Sequence, residues 1–547
     1  MKRCILALAT LLASVVMVQA QDTSGILFNR DIIPASSLLS LSQRDAMGTA
    51  RSMGLGGAFT SLGADMASFG YNPAGFGMYQ RNEISATLGI GIANAKNYNA
   101  YSSTGNNSVR VAVNNFGASC QVYESSGTLT AVNFAIGYNK VADYNYNMSY
   151  AGIANPSSIA DAFANIATHG GLGINTNGKI TDPNGFYDYD MNPYYWGTAM
   201  AYKGYLIDRV ERDGKYYWAP TEIADNAEVS PFTNLESRGS AGEFSFAFGF
   251  NLNNIVYLGA SLDIQSIQRK QTIYYNEYIN YADNKQPNPT DYPTQLRRVD
   301  FAQSMNINGS GIGAKFGVVV RPVGGLRIGF ALHTPTYYSV GYRYSASLYT
   351  EAVNVGDGSI VNSEQETPIL QDGGEHRWTF TTPTRLLAGV SYTVGQYVVI
   401  SADYQYDAYR AVKLDYSPAD TGYTNQTFRN NLKGVHTLRA GIEAKPLPWL
   451  ALRVGGGFRS NVLRSNYDFV TFSEPVADSA WFASAGLGFR LSEVTSIDVA
   501  YQYRNTRYSD YYSFYTKLDG CDGPDASPKY GLDIVNHNIA LTFAFRF

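Results

Sequence analysis

Residues that could carry catalysis are few and poorly arranged in this chain. Ala50-Arg51-Ser52-Met53-Gly54 comes close to the G-x-S-x-G elbow of hydrolases, but the first glycine and the preceding strand are missing. Gly309-Ser310-Gly311-Ile312-Gly313 precedes a strand pattern and no helix, so it is not a dinucleotide-binding fingerprint. The five histidines lack the spacing of metal ligands. We therefore predict that the chain is not an enzyme and has no catalytic residue, metal site or cofactor.

Charged residues point to no polar partner either. Asp519, Asp522 and Asp525 offer oxygen atoms that calcium prefers, but a solvated loop is the interpretation we favour. The formal net charge of -4 and the pI near 5.8 argue against a nucleic-acid partner. The function must therefore be sought in the elements that the sequence builds.

The strongest pattern is the alternation of large apolar residues with small or polar ones. From Ile539 to Phe547 every second residue is large and apolar, which is the period of a β-strand. About thirteen earlier segments, from Ile84–Ile92 onward, repeat this pattern. An even number of such strands is typical of bacterial outer-membrane barrels, whose outer face meets lipid.

The opposite face of these strands carries charges well inside the segments. They are Glu243, Asp263, Lys315, Arg327, Asp403, Arg439, Glu443, Arg453, Asp498 and Arg504. A charge facing lipid costs about 2–4 kcal/mol at the bilayer midplane, so these residues must face a polar lumen. In this register Val318 faces lipid and Val319 faces the lumen, so we expect arginine at 318 to impair assembly and arginine at 319 to have a much milder effect. The prediction is an all-β fold, a transmembrane antiparallel barrel of about 14 strands.

The N-terminal part of the chain divides into a signal peptide and a separate domain. Lys2, Arg3 and a short apolar run before a small-residue cleavage site predict a secretory signal at residues 1–20. Residues 21–81 lack alternation and contain glycines, with a helix predicted from Ser42 to Met53. We predict an N-terminal plug at 21–81 and a barrel at 82–547.

The connections between the predicted strands alternate between short and long. The long ones lie near 140–241, 267–311, 335–383, 408–434, 461–480 and 505–533, and the first of these contains a predicted helix from Ser158 to His169. Short turns of such barrels face the periplasm and long loops face outside. This orientation predicts that both termini and the plug lie on the periplasmic side.

Two sets of motifs resemble a known family. The run from Ala50 to Phe59, followed by Asn72-Pro73-Ala74-Gly75, is similar to the N-terminal hatch of FadL-like outer-membrane transporters. The barrel phrases Gly313–Val318, Leu326–Gly329, Leu438–Gly441 and Leu452–Gly455 look similar as well. This resemblance spans most of the chain after the signal peptide.

The resemblance implies passive uptake of hydrophobic small molecules, such as long-chain fatty acids, through the outer membrane of a Gram-negative bacterium. A ligand would dock on the outer loops, enter an apolar lumen pocket and pass when the hatch shifts. The residues expected to bind or gate are Arg51, Gly54, Gly56, Gly57, Asn72, Pro73, Ala74 and Gly75. A purely structural plug remains the alternative role for these residues.

Expected partners are the hydrophobic ligand, outer-membrane lipids and the barrel-assembly machinery, which would recognise the C-terminal strand ending in Phe547. We expect a monomer. The alternative function is a barrel without transport activity that acts as an interaction or secretion-accessory protein. Haem uptake is a third hypothesis, which the sparse histidines do not favour.

Overall fold

The computed structural model describes most of the chain after the signal peptide. The described residues are 23–24, 35–44, 48–98, 102–105, 107–152, 157–192, 195–212, 214–221, 227–281, 294–367, 376–416, 421–466, 475–516 and 525–547. The predicted signal peptide and the loop residues Asp519 and Asp522 lie outside them. Among the described residues, no helix has both the length and the apolar character needed to cross a membrane.

The helices are short. They are α1 (Ala35–Ser42), α2 (Ala50–Gly54), α3 (Ile159–His169), α4 (Trp196–Lys203) and α5 (Thr421–Asn431), with 3-10 turns at Met66–Phe69, Pro73–Met78, Asp188–Asp190 and Tyr409–Ala411. The predicted helix in the long loop is confirmed as α3, which Ser158 caps by accepting a hydrogen bond from the Ala160 amide. The predicted helix from Ser42 to Met53 is wrong, because Ser42 ends α1 and a second helix begins at Ala50.

The strands account for most of the described residues. In chain order they are β1 (Thr23–Ser24), β2 (Glu83–Tyr98), β3 (Ser102–Gly105), β4 (Asn107–Glu124), β5 (Leu129–Asp143), β6 (Tyr146–Ala151), β7 (Gly173–Ile174), β8 (Ile180–Thr181), β9 (Ile207–Arg212), β10 (Lys215–Pro220), β11 (Glu228–Leu252), β12 (Val256–Asn280), β13 (Thr294–Val323), β14 (Leu326–His333), β15 (Tyr337–Asn354), β16 (Ile360–Glu366), β17 (His376–Thr381), β18 (Arg385–Val394), β19 (Val398–Asp407), β20 (Lys413–Tyr416), β21 (Val435–Leu447), β22 (Leu450–Arg459), β23 (Ala477–Arg490), β24 (Thr495–Tyr508), β25 (Tyr511–Tyr512), β26 (Tyr515–Thr516), β27 (Asp525–Ala526) and β28 (Lys529–Arg546).

Most of these strands close into one antiparallel barrel with fourteen positions in the described wall, while β1, β26 and β27, β7 and β8, and β9 and β10 form three small separate sheets. Successive positions of the ring pair antiparallel, as β5 does with β11 and β19 with β21. β14 continues into β15, β17 continues into β18, and β28 pairs with β2 to close the ring. The predicted all-β fold and strand number are confirmed. Closure leaves the wall without a free edge, which a spanning sheet requires in lipid.

The outer face of the wall is apolar in a band and becomes polar beyond it. On β12 the exposed outward residues Leu258, Leu262 and Ile264 are followed by Ser266 and Gln268. The strand therefore leaves the apolar band after Ile264 and continues outward. The same register turns Glu243, Asp263 and Lys315 inward, and all three are buried. The predicted inside–outside assignment is confirmed at these positions.

Strands on one side rise far beyond the apolar band. β11, β12 and β13 contain 25, 25 and 30 residues, whereas about 9–11 residues cross a bilayer. Much of the predicted loops near 267–311 and 335–383 is therefore strand, because the sheet continues outward with a polar outer face. Helices α3 and α4 pack on the inner face of this raised sheet and form a second apolar core with Tyr275, Phe301 and Leu348.

The described chain begins at the long-loop end of the barrel. Thr23 and Ser24 pair with Thr516 and Tyr515, in the connection between β24 and β28. The C-terminus lies at the short-turn end, where the Arg546 amide donates to the Val494 carbonyl. The prediction that both termini lie on the side of the short turns is therefore wrong for the N-terminal segment. β1 therefore lies at the long-loop end, whereas α1 and the plug lie inside the barrel.

Candidate functional site: the hatch and the lumen cavity

The lower lumen is filled by residues 48–81, which we call the hatch. Inward glycines of the wall lie directly against its backbone. They are Gly249, Gly259, Gly317, Gly329, Gly389, Gly441, Gly455 and Gly486, while Gly117 and Gly137 accommodate the Phe69 ring. A Cβ at any of these positions would contact hatch atoms. Glycine at these wall positions therefore allows the hatch to pack closely against the wall.

Gly54, Gly56 and Gly57 form the hatch side of this contact. Gly56 and Gly57 have φ angles of +64° and +75°, which glycine adopts at low cost. A Cβ on Gly56 would collide with the backbone of Gly456, and one on Gly57 would lie 2.6 Å from the Tyr71 hydroxyl. A Cβ on Gly54 would lie 3.3 Å from Gly486 Cα. These glycines are required by packing and backbone conformation in the closed hatch.

Arg51 anchors the hatch through a buried ion-pair network. Its Nε lies 3.1 Å from Glu443 Oε2, and Arg453 Nε lies 2.7 Å from the same oxygen. Arg453 Nη1 continues to Asp498 Oδ1 at 2.5 Å. Only 1% of the Glu443 side chain is exposed, so its charge depends on these partners.

The Asn72-Pro73-Ala74-Gly75 motif builds a capped turn against the wall. Asn72 Oδ1 accepts from the Ala74 amide at 3.0 Å, while its Nδ2 donates to the Thr60 carbonyl at 2.8 Å. Pro73 begins the 3-10 turn, where its missing N–H costs nothing. Ala74 is fully buried, and Gly75 leaves room for Ser68 Oγ. The motif therefore shapes the floor of the hatch.

Further wall side chains bind hatch backbone atoms. Asp403 Oδ2 accepts from the amides of Phe59 and Thr60, both at 2.7 Å. Lys315 Nζ donates to the Phe69 carbonyl at 2.6 Å and to Glu243 Oε1 at 2.6 Å. Inward charges that the alternation predicted as lumen-facing thus hold the hatch in place.

A cavity of about 160 Å³ lies between the hatch below and the end of α1 above. Met53, Gly56, Gly57 and Tyr71 of the hatch contribute to its lining. Among the described lining residues, six are arginines and two are aspartates: Arg44, Arg110, Arg269, Arg439, Arg459, Arg504, Asp143 and Asp407. The resemblance implied an apolar pocket; the cavity is instead strongly cationic with some apolar surface.

Sequence reasoning found only part of this site. All eight predicted residues lie in the hatch, but only Gly56 and Gly57 of them line the cavity. Arg439 and Arg504 were recognised as lumen-facing charges and not as parts of a site. Inward arginines near the outer ends of β21, β22 and β24 were the signal for the cavity, which becomes visible only when the wall closes.

A closed antiparallel barrel with an apolar outer band and a filled lumen defines a multi-pass outer-membrane protein with an internal plug. No known family model matches the chain, and no curated protein matches it.

Solved structures with similarity to the chain include membrane channels and transporters. The toluene transporter TodX of P. putida is 12% identical, with 91% of this chain and 97% of that chain covered and a TM-score of 0.47. The toluene transporter TbuX of Ralstonia pickettii is 14% identical, with 92% and 98% covered and a TM-score of 0.47. A Pseudomonas aeruginosa homologue of FadL, the family that the hatch motifs resemble, is 10% identical, with 91% and 98% covered and a TM-score of 0.47.

Proposed function

We propose that this protein is an outer-membrane transporter for passive uptake of hydrophobic small molecules, such as long-chain fatty acids. The observation that carries the proposal is the position of the cavity, which lies inside the barrel and directly on a plug that separates it from the short-turn end. A ligand in the cavity touches Gly56 and Gly57, so its binding and the position of the hatch are linked. Capture by the long loops, binding in the lumen and movement of the hatch are the proposed steps.

The eight hatch residues have distinct roles in this proposal. Gly56 and Gly57 form the surface that a ligand contacts, and Arg51 and Asn72 hold the closed position. Movement requires that the Arg51–Glu443 pair and the glycine contacts separate together. A gating segment with many anchors opens rarely, which keeps the barrel closed to polar solutes.

A disulfide that joins the hatch to the wall tests whether the hatch must move. Ala50 and Ala500 belong to one buried cluster, so the double substitution Ala50→Cys with Ala500→Cys is designed to bring a hatch thiol close to a wall thiol. Cys120 and Cys521 are replaced by serine in all variants. We expect uptake of a labelled fatty acid to stop in the oxidised form and to return on reduction.

A matched control joins two wall strands without touching the hatch. Val499 and Leu541 face each other on the outer face of β24 and β28, so Val499→Cys with Leu541→Cys is designed to form a disulfide within the wall. We expect this variant to transport normally when oxidised. Normal transport by the oxidised hatch–wall variant would contradict the gating proposal.

The second candidate function is an interaction or secretion-accessory protein, and the raised sheet favours it. β11, β12 and β13 carry an external domain with its own apolar core. This domain is larger than a loop that only covers the opening of the barrel. Deletion of residues 157–220 distinguishes the two functions. Loss of uptake supports ligand capture by this domain, whereas full uptake would assign the domain to a separate binding function.

A further inference from the structure

Helix α1 is buried inside the upper lumen, although it belongs to no strand of the wall. Its three leucines are at most 1% exposed: Leu38, Leu39 and Leu41. They form one apolar cluster with side chains of β12, β13, β15 and β17, namely Ile273, Met305, Ile307, Tyr342 and Trp378. Helix α5 lies beside α1 in the same part of the lumen. The helix therefore fills an apolar space that the wall encloses.

The space that α1 fills is continuous with the lumen cavity. Ser40 of α1 lines the cavity. Several residues belong both to the cavity lining and to the apolar cluster around α1: Ala93, Ala142, Tyr144, Tyr146 and Ile534. The cavity measures about 160 Å³, whereas pockets that bind small molecules usually enclose about 300–1,000 Å³. A hydrophobic chain therefore needs more room than the cavity offers, and the adjoining apolar room is occupied by α1.

The attachment of α1 differs from that of the hatch. The helix contains no charged residue, so no side-chain ion pair holds it, and its leucines make contacts that are not directional. The polar anchors stand after the helix, where Gln43 Nε2 donates to the Ala477 carbonyl at 2.6 Å and Arg44 Nη2 donates to the Tyr338 hydroxyl at 2.9 Å. A helix of eight residues is not stable by itself, so α1 depends on this apolar packing. An occupant that covers the same apolar surface can therefore replace it.

The packing around α1 leaves polar groups of the wall without partners. On the inner face of β12, Gln271 stands between Arg269, which lines the cavity, and Ile273, which belongs to the apolar cluster. Its cross-strand neighbour on β13 is Met305, whose Sδ accepts a hydrogen bond from Ser37 of α1 at 3.7 Å. Both Oε1 and Nε2 of Gln271 are buried and have no hydrogen-bond partner among the described residues. A buried polar group without a partner destabilises the arrangement that covers it, so an occupant with a hydrogen-bonding end would fit this region better than α1 does.

We propose that α1 is an internal competitor of the ligand. It occupies the apolar upper part of the ligand site, and a hydrophobic chain with a hydrogen-bonding end binds there when α1 leaves. The chain then covers the wall surface that the three leucines cover in this structure, and Gln271 binds the polar end. This inference rests on the proposed function, because it states where the transported molecule binds and which segment it displaces.

A spin label at position 40 reports directly whether α1 leaves. Ser40 is the only residue of α1 that is not buried, so a label there disturbs the packing least. The mature protein carries Ser40→Cys together with Cys120→Ser and Cys521→Ser, and it is studied in lipid nanodiscs. We expect saturating octanoate to raise the mobility of this label. A control label from Ser492→Cys, in a short turn, is expected to keep its mobility.

Binding affinities test the competition itself, with octanoate, octanol and octane as probes. Leu38→Asn with Leu39→Asn weakens the packing of α1, so we expect octanoate to bind about tenfold more tightly, because a larger fraction of the protein has the site free. Gln271→Leu is expected to weaken octanol binding by about tenfold and to leave octane binding unchanged. Leu491→Asn, at a leucine that is 63% exposed in a short turn, is expected to leave all three affinities unchanged.

Failure of the inference and failure of the proposed function give different results. An immobile label at saturating octanoate, in a protein that takes up labelled octanoate normally, would overturn the inference while the proposed function stands. Release of the label by octanoate in a protein that takes up no fatty acid would overturn the function while the inference stands. Weaker octanoate binding by the double leucine variant would also overturn the inference, because α1 would then form part of the ligand site. Leu41→Asn provides a second variant should the double substitution fail to assemble.

Discussion

The lower half of the lumen is closely packed by the hatch, whereas the upper half contains an open cavity. At the hatch, wall glycines bring backbone against backbone, and the inward charges Lys315, Asp403 and Glu443 have partners on the hatch or on a neighbouring strand. One layer above, arginines surround a cavity, and a Cβ added to Gly91 would meet nothing closer than Asn538 Oδ1 at 3.5 Å. The same strand pattern can therefore build a tightly packed contact or an open cavity, depending on which residues face inward.

The largest expected effect comes from removing the charge of Glu443. Glu443→Gln leaves Arg51 and Arg453 without their shared carboxylate, which costs about 3–5 kcal/mol for a buried pair. The matched change in the upper lumen is Asp143→Asn, because 29% of the Asp143 side chain is exposed and the expected cost is about 0–1 kcal/mol. Urea unfolding of the purified barrels measures both. Equal losses would remove the distinction between the two layers.

Arginine substitutions at two adjacent positions of β13 test whether water is excluded from the lower lumen. Val318→Arg faces lipid and is expected to cost about 2–4 kcal/mol. The expectation that Val319→Arg is milder needs revision, because Val319 is fully buried against Ala74 and Tyr257. We now expect both variants to impair assembly, as measured by the heat-modifiable band on gels. A well-assembled Val319→Arg barrel would indicate that water reaches the contact between β13 and the hatch.

A Cβ added to the wall distinguishes the two layers by space alone. Gly455→Ala would press on the Leu55 carbonyl carbon and the Gly56 amide, so we expect a loss of about 1–3 kcal/mol. Gly91→Ala faces the cavity and is expected to be nearly neutral. Thermal unfolding of the two variants provides the measurement. A destabilised Gly91→Ala with a stable Gly455→Ala would reverse the comparison.

The smallest effect on the whole molecule concerns the external domain and pH. Glu277, on the part of β12 beyond the apolar band, accepts hydrogen bonds from the Ser158 hydroxyl at 2.5 Å and the Ile159 amide at 2.7 Å, at the start of α3. Burial raises the pKa of Glu277 to about 7, against the lowering effect of these hydrogen bonds. The folded state therefore holds more protons than the unfolded state between about pH 4.5 and about 7.

Stability of the external domain should decrease as the pH rises through that window and then level off above about 7. Glu277→Gln should remove this dependence. Limited proteolysis of the domain at several pH values measures it. A wild-type domain that becomes more resistant with rising pH would contradict the assignment.

Much of the barrel was predictable because its pattern is local. Residues such as Leu258 and Asp263 alternate between lipid and lumen, so the register of each strand can be read without knowledge of its neighbours. The path of the N-terminal segment was not predictable, since Thr23 and Ser24 pair with residues almost 500 positions away in the sequence. The length of β13 was missed because its outer face turns polar beyond the bilayer. The cavity required the meeting of arginines from strands distant in the chain.

The central claim is that the hatch closes the lumen below the cavity, and single-channel conductance tests it most directly. The comparison is between the mature protein and a variant lacking residues 48–81, both in planar bilayers and both checked for an assembled barrel. We expect the complete protein to show almost no conductance to small ions and the deletion variant to show large, stable openings. Equal conductance of the two proteins would contradict the claim that the hatch is the seal.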